Sequence, residues 1–273
     1  MTDARRIRSA VMRSRSPATI VPAGLTRVLR VAISLLALLL LLPFVLTPLD
    51  RVGRPVSTLM LWRWLTGAHV ERIWTPIDRI APILPQSVIV AEDTRFCTHH
   101  GVDFREMREM IGAIGDLEDI DDLRGGSTIT QQTVKNLFLW PGRSYVRKAL
   151  EFPLALWFDL VVPKRRIMEI YLNIAEWGPN GQFGIEAGTR RAFGKSARDL
   201  TPREAALMAA ALPNPRLRKP GQPGLGLRRL AGIYQGRAAN WRNLDRCVQR
   251  RRRRPRPLTV PSGPPGQQEF HPV

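Results

Sequence analysis

Three short stretches hold the residue types that could do chemistry. Glu92-Asp93-Thr94-Arg95-Phe96-Cys97-Thr98-His99-His100-Gly101-Val102-Asp103 sets acids and two imidazoles around a glycine. Gly125-Gly126-Ser127-Thr128-Ile129-Thr130-Gln131-Gln132 follows a glycine turn with hydroxyls and amides. Arg147-Lys148-Ala149-Leu150-Glu151 adds two cations and a carboxylate. Two carboxylates, Glu92 and Glu151, thus bracket a glycine turn rich in hydroxyls, amides and cations. That inventory suits acid/base chemistry on an anionic, sugar-like substrate.

Glu92 ends the apolar run Val88-Ile89-Val90-Ala91, so a helix would place its carboxylate at the rim of a core. Partial burial raises a carboxyl pKa and lets it exchange protons near neutrality. The plainer reading is a surface Glu at a helix end. Asp93 reads as a capping or hydrogen-bonding residue. His99 and His100 could act as acids, but sequence neighbours point apart and do not form a metal pair. No His-x-x-x-His or Cys-x-x-Cys spacing occurs, so no metal ligand is assigned.

In the second stretch the glycines allow close backbone approach. Ser127 and Thr128 can cap the next helix and turn its amides toward an anion. The Gly-Lys-Ser/Thr ending of a nucleotide-binding loop is missing. Gln131 and Gln132 can hydrogen-bond a sugar or a peptide amide; a merely capped helix start is the alternative. Lys135, Arg147, Lys148 and Lys164 spread over three predicted helices. They form either a cationic pocket for a diphosphate, with Glu151 reaching into it, or surface ion pairs. Arg147 and Glu151 are i,i+4 and share a face; exposed, such a pair contributes about 0.5 kcal/mol. The run Asp116, Glu118, Asp119, Asp121, Asp122 reads as a solvated loop or a place for a divalent ion.

The elements that must position these groups read as helical, and long alternating strand patterns are absent, so the fold class is mainly α. Helices are predicted over residues 131–139, 144–161 and 164–173. In the second, Val146, Ala149, Leu150, Leu154 and Trp157 form one apolar stripe, with Pro153 a kink. Thr201-Pro202-Arg203-Glu204 is a capping box with proline at the first helical position. It opens an Ala/Leu helix that ends at Leu212-Pro213-Asn214-Pro215. Residues 220–226 break structure, and a last helix is expected over about 227–247.

The formal net charge of +19 is uneven. Residues 1–30 carry +6 and residues 216–273 carry +12, leaving +1 for residues 31–215. A nearly neutral body with two basic tails points to an anionic lipid surface and not to nucleic acid. Residues 31–49 are uncharged, long enough to span hydrocarbon, and preceded by seven Arg. They predict a single-pass anchor with a cytoplasmic N-terminus. A cleavable signal peptide is the alternative, against which stand the length of the run and the lack of a small-residue cleavage site. The expected divisions are a basic N-terminus (1–30), a transmembrane helix (31–49), a membrane-proximal linker with Trp62, Trp64 and Trp74 (50–75), a globular domain (76–247) and a basic tail (248–273). Cys97 and Cys247 could form a disulfide in an oxidising compartment or remain two buried thiols.

These motifs together resemble the family 51 glycosyltransferases, the peptidoglycan glycosyltransferases, over roughly residues 75–215. Glu92, Asp93, Phe96, His99, Gly101 and Asp103 match the first family signature, and residues 125–132 with Lys135 and Asn136 the second. Arg147, Lys148 and Glu151 match the third. Lys164, Glu169, Tyr171, Leu172, Asn173, Gly178, Gly184, Ile185 and Ala187 match the fourth. Glu204, Ala205, Leu207 and residues 212–215 match the fifth. The family's order is kept throughout, and Cys97 is a local variant.

The resemblance implies a lysozyme-like helical domain at the membrane that polymerises lipid II, with a lipid-linked strand as donor and undecaprenyl diphosphate as leaving group. By it Glu92 is the general base and Glu151 the second acid. Lys135, Arg147, Lys148 and Lys164 meet the diphosphate, and Ser127, Thr128, Gln131, Gln132 and Asn136 line the substrate. A divalent cation (Mg2+ or Mn2+) is the one candidate cofactor. Other cell-wall synthesis proteins are expected partners, and the inner membrane, with a periplasmic domain, the expected location. Neither Ser-x-x-Lys nor Lys-Thr/Ser-Gly occurs, so the chain resembles the monofunctional biosynthetic branch and is expected to escape acylation by β-lactams. Two rivals remain. A lysozyme-like or lytic enzyme would release soluble fragments from purified cell wall, and a non-catalytic scaffold would work unchanged with Glu92→Gln.

Overall fold

A computed structural model describes residues 23–113, 126–142, 144–240 and 244–249. It contains ten α-helices and one pair of two-residue strands among those residues. The chain divides into two units, the first ending at Leu46 and the second beginning at Thr47.

The first unit is the helix α1, Ala23–Leu46. At 1.5 Å per residue its 24 residues extend about 36 Å, more than the roughly 30 Å of a hydrocarbon core. The helix starts eight residues before the predicted span and stops before Thr47-Pro48, where the proline disfavours helical geometry in the residue preceding it. Pro43 lies inside it, near its end.

The second unit opens with a 3-10 turn, Thr47–Arg51. The segment expected to be a linker is structured chain. Ser57 caps α2, Thr58–Leu65, whose Met60 is fully buried. Thr58 Oγ1 donates to the Leu139 carbonyl at 2.5 Å, fixing α2 to the chain after α5, Ile129–Phe138. Strand β1, Glu71–Arg72, pairs in parallel with β2, Gln182–Phe183, in the register Glu71↔Gln182 and Arg72↔Phe183.

Three helices form one half of the core. They are α3, Ile83–Glu92; α9, Pro202–Ala211; and α10, Leu225–Asn240. The α9 run Ala205-Ala206-Leu207-Met208-Ala209-Ala210-Ala211 is buried throughout, because small side chains let neighbouring helices approach on every side. Thr201 and Glu204 make the predicted capping box. The other half packs α5 on α6, Tyr145–Val161, and on α7, Lys164–Ile174. Seven of the eleven residues of α7 are buried, so it is a central helix rather than a surface one. Helix α4, Phe104–Ala113, follows the first motif, and α8, Ile185–Phe193, follows β2.

Two sequence expectations are corrected. The buried face of α6 consists of Arg147, Glu151, Leu154, Ala155 and Phe158, while Val146 is 65% exposed. The predicted apolar stripe was rotated by about one residue, because hydropathy alone assigns an arginine and a glutamate to solvent. Buried as a mutual pair, they can face inward. The last helix ends at Asn240 rather than 247. Residues 244–248 form a hydrogen-bonded turn in which Asp245 O accepts the amides of Val248 and Gln249.

Candidate active site

Glu92 is the last residue of α3, and Asp93 turns the chain there. The Asp93 carboxylate is buried and accepts the Ile129 amide at 2.9 Å, the first amide of α5. It also faces His99 Nε2 at 2.9 Å. The other ring nitrogen, Nδ1, lies 3.5 Å from the Lys164 ammonium, which can only donate. Nδ1 is therefore the acceptor, and Nε2 carries the hydrogen donated to Asp93. Lys164 continues the network to Asp159 at 2.6 Å and lies 4.6 Å from the centre of the Phe96 ring.

Helix α5 begins at a second capping box. Thr128 Oγ1 accepts the Gln131 amide, and Gln131 Oε1 accepts the Thr128 amide. Thr128 Oγ1 also donates to the Gly101 carbonyl at 2.6 Å. Gly101 has φ +82°, and a β-carbon there would lie 2.2 Å from the Ala155 carbonyl of α6. Only glycine allows this loop to pass so close to the helix.

These supports present a polar cluster. Gln132 Nε2 donates to Glu92 Oε2 at 2.8 Å, and Tyr171 OH donates to Gln132 Oε1 at 3.2 Å. Burial pushes the Glu92 carboxyl above the ordinary glutamate range, opposed by the Gln132 hydrogen bond and the Lys135 charge. Burial also holds the Tyr171 phenol well above its usual value, so it remains an O–H donor. Lys135 is lowered by burial, while Glu151 and Glu92 favour its charged form and Arg147 and Lys148 oppose it. Arg147 pairs with Glu151 Oε1, and Lys148 lies 3.3 Å from Glu151 Oε2. Lys148 also donates to Ser127 Oγ at 2.6 Å.

The fold thus gathers Glu92, Ser127, Gln132, Lys135, Arg147, Lys148 and Glu151. Lys164 belongs to the separate Asp93–His99–Asp159 network. Thr128 and Gln131 are turned inward as a cap, with Gln131 1% exposed and its Nε2 without a hydrogen-bond partner among the described residues. The Asn136 carbonyl accepts from Thr58, and its side chain makes no hydrogen bond among the described residues. Gly125 and the acidic run Asp116 to Asp122 lie outside the described residues. Sequence reasoning assigned no part to Asp159 or to the gating of Gln132 by Tyr171, both of which depend on contacts between distant segments. It also missed Arg218, whose charge acts on Glu92.

Both Glu151 oxygens already face cations, and no three His, Cys, Asp or Glu groups converge among the described residues. Among the described residues, then, Glu151 offers no free oxygen to a divalent ion. A buried carboxylate able to exchange a proton, beside two lysines and an arginine able to receive an anionic group, puts the cluster in the class of acid/base transfer sites for anionic substrates.

Comparison with known proteins agrees with that class. Residues 60–233 match the transglycosylase family. The biosynthetic peptidoglycan transglycosylase of Rhodopseudomonas palustris (strain HaA2) is 58% identical over 221 residues, 81% of this chain and 96% of that protein. The protein of the same name from Nitrobacter hamburgensis is 62% identical over 200 residues, 73% of this chain and 87% of its own. The one from Brucella suis biovar 1 is 50% identical over 220 residues, 80% and 96%. The chain belongs to the transglycosylase family and is a glycosyltransferase.

Proposed function

We infer that this chain polymerises lipid II into β-1,4-linked glycan strands at a membrane. The observation that carries this reading is the Glu92 carboxylate, raised by burial and oriented by Gln132, within electrostatic reach of Lys135. In the reaction the acceptor GlcNAc 4-hydroxyl attacks C1 of the lipid-linked MurNAc. Glu92 takes the hydroxyl proton as the new C–O bond forms. The bond from C1 to the diphosphate oxygen breaks, and undecaprenyl diphosphate leaves with the electron pair. Attack opposite an α-linked leaving group gives a β linkage, so configuration inverts. Lys135, Arg147 and Lys148 meet the charge on the departing diphosphate, and Glu151 holds Arg147 and Lys148 in place.

A hydrolytic lysozyme-like reading is weaker. It shares the single Glu acid but has no use in its chemistry for the cations Arg147 and Lys148 gathered around Glu151. The scaffold reading leaves the Glu92 arrangement without a purpose.

Membrane residence is supported by α1 and its arginine-rich N-terminal flank, which together fit a cytoplasmic N-terminus and an external catalytic unit. The Cys97–Cys247 disulfide fits an oxidising compartment, the periplasm of a cell with an inner membrane. Exposed Leu61, Trp62, Leu65, Trp140, Tyr145, Val146 and Leu160 suit contact with lipid. Other cell-wall synthesis proteins are proposed partners, and nucleic acid is not.

The test is polymerisation of purified lipid II in detergent, wild type against Glu92→Gln. Polymer from the wild type and a loss of at least about 1,000-fold in the folded variant is expected. Equal activity in both would remove Glu92 from the mechanism. Soluble fragments released from purified cell wall would favour the hydrolase.

A further inference from the structure

A second cleft, of about 490 Å³, lies between the 73–76 segment and the region from α8 to residue 198. Three guanidinium groups line it, those of Arg79, Arg190 and Arg198. The only acid in its lining is Glu186, and that carboxylate is fully occupied. It accepts from Arg190 Nε at 2.8 Å, Ser196 Oγ at 3.1 Å and the Ala197 amide at 2.9 Å. These bonds hold Glu186 below the usual glutamate range, so it stays ionised and fixes Arg190 through Nε. The terminal nitrogens of Arg190 make no hydrogen bond or ion pair among the described residues.

Arg79 and Arg198 have no acidic partner among the described residues. The neighbouring Asp78 carboxylate is taken by Arg165 at 2.6 Å and does not neutralise Arg79. Ile73, Trp74 and Pro76 form an apolar wall. The guanidinium carbons of Arg72 and Arg166 lie 4.9 and 5.1 Å from the Trp74 ring centre, and Arg166 also pairs with Glu169.

This cleft is separate from the catalytic cluster. Its 75–77 wall hangs on α7 through Asn173, which bonds the Thr75 amide and carbonyl at 2.7 and 2.9 Å, and through Glu169, which accepts the Ile77 amide at 3.0 Å. Tyr171, which holds Gln132, projects from the opposite face of the same helix, since residues two apart differ by about 200°.

A cleft with two unneutralised guanidinium forks and an apolar wall recognises planar anions carried on a partly apolar backbone. It is several times larger than a single phosphate requires. We propose that this cleft binds a carboxylate-bearing peptide, and that its source is the peptide carried by the glycan the enzyme elongates. The source assignment rests on the lipid II reading; the peptide-binding assignment does not.

The experiment is fluorescence anisotropy of full-length protein in detergent with a labelled acidic pentapeptide, its fully amidated form, and a labelled stem peptide of the cell wall. Wild type is compared with Arg79→Gln/Arg198→Gln, two exposed positions outside the catalytic cluster, and with Glu92→Gln. The expected result is at least tenfold weaker binding of the acidic peptide by the double variant, and no binding of the amidated peptide. Binding by Glu92→Gln should be unchanged, which separates this proposal from the fate of the catalytic reading. Stem-peptide binding that follows the same pattern assigns the source to the strand. Acidic-peptide binding without stem-peptide binding overturns that source and leaves an acidic segment of a partner protein. Equal binding in wild type and the double variant, or full displacement by millimolar inorganic phosphate with undiminished binding of the amidated peptide, overturns the cleft as a carboxylate site.

Discussion

At the scale of single residues, the Glu92 carboxylate is governed by opposing effects. Burial favours its protonated form, and the Gln132 amide and Lys135 charge favour the ionised form a base must have. Tyr171 decides which end of the Gln132 amide faces Glu92, because the phenol can donate to Oε1 and so leaves Nε2 for the carboxylate. Gln132→Leu should therefore move the acid limb of the activity profile to higher pH, and Tyr171→Phe should move it in the same direction by less. Activity lost at neutral pH, about tenfold, should return as pH rises. A limb that does not move in Gln132→Leu would disprove the relay. The stability sign follows from the same raised pKa. The folded state holds its proton to higher pH than the unfolded chain does, so the contribution of Glu92 to stability falls as pH rises through the folded pKa. Glu92→Gln should then melt no lower than wild type at pH 8, with its relative advantage shrinking toward pH 5; a clearly lower melting temperature at pH 8 would contradict this.

At the scale of elements, α6 places a charged pair on its buried face. Arg147 is 9% exposed and Glu151 2%. Removing one partner strands a buried charge, which costs about 3 kcal/mol, at the low end of such losses because Lys148 remains near Glu151. Arg147→Ala should lower the denaturant midpoint accordingly. Arg147→Met/Glu151→Leu should recover most of that stability without recovering polymerisation. If Arg147→Ala unfolds at the wild-type midpoint, the pair is solvated in solution and the inward face of α6 has been misassigned. The same element shows why α5 starts where it does: the Thr128 cap and the glycine at 101 bring the first loop against the Ala155 carbonyl.

At the scale of the whole catalytic unit, residues 150 positions apart are joined by the Cys97–Cys247 disulfide. It ties the turn after α10 to the loop that carries Asp93 and His99. Arg165, next to Lys164, donates to the Val248 carbonyl and pairs with Asp78, giving the same turn a second hold. A crosslink closing so long a loop stabilises mainly by restricting the unfolded chain, by about 5 kcal/mol in the loop-entropy account. Cys97→Ser/Cys247→Ser, or reduction of the wild type, should lower the melting temperature by several degrees. Unchanged melting on verified reduction would show that Arg165 and the buried Val248 suffice to hold the turn.

How much of this was legible depends on the range of the interaction. The sequence alone determined what is local. An uncharged run that must avoid water marked α1, and the capping box at Thr201 and the helix cap at Thr128 follow from side chains bonding to amides three residues on. The ordered motifs identified the family and its reactive residue types. The tertiary structure decided what depends on neighbours distant in the chain. It placed Lys164 with Asp159 and His99 instead of with Glu151, and it turned Gln131 inward while Gln132 faced Glu92. It also put Arg147 and Glu151 inside where hydropathy had put them outside, formed the disulfide left open by two lone cysteines, and left Arg79 and Arg198 facing a cleft. The physical reason is common to all of these. A charge or amide is stable in a protein interior only when a partner arrives from another segment, and the identity of that partner is set by packing rather than by spacing along the chain.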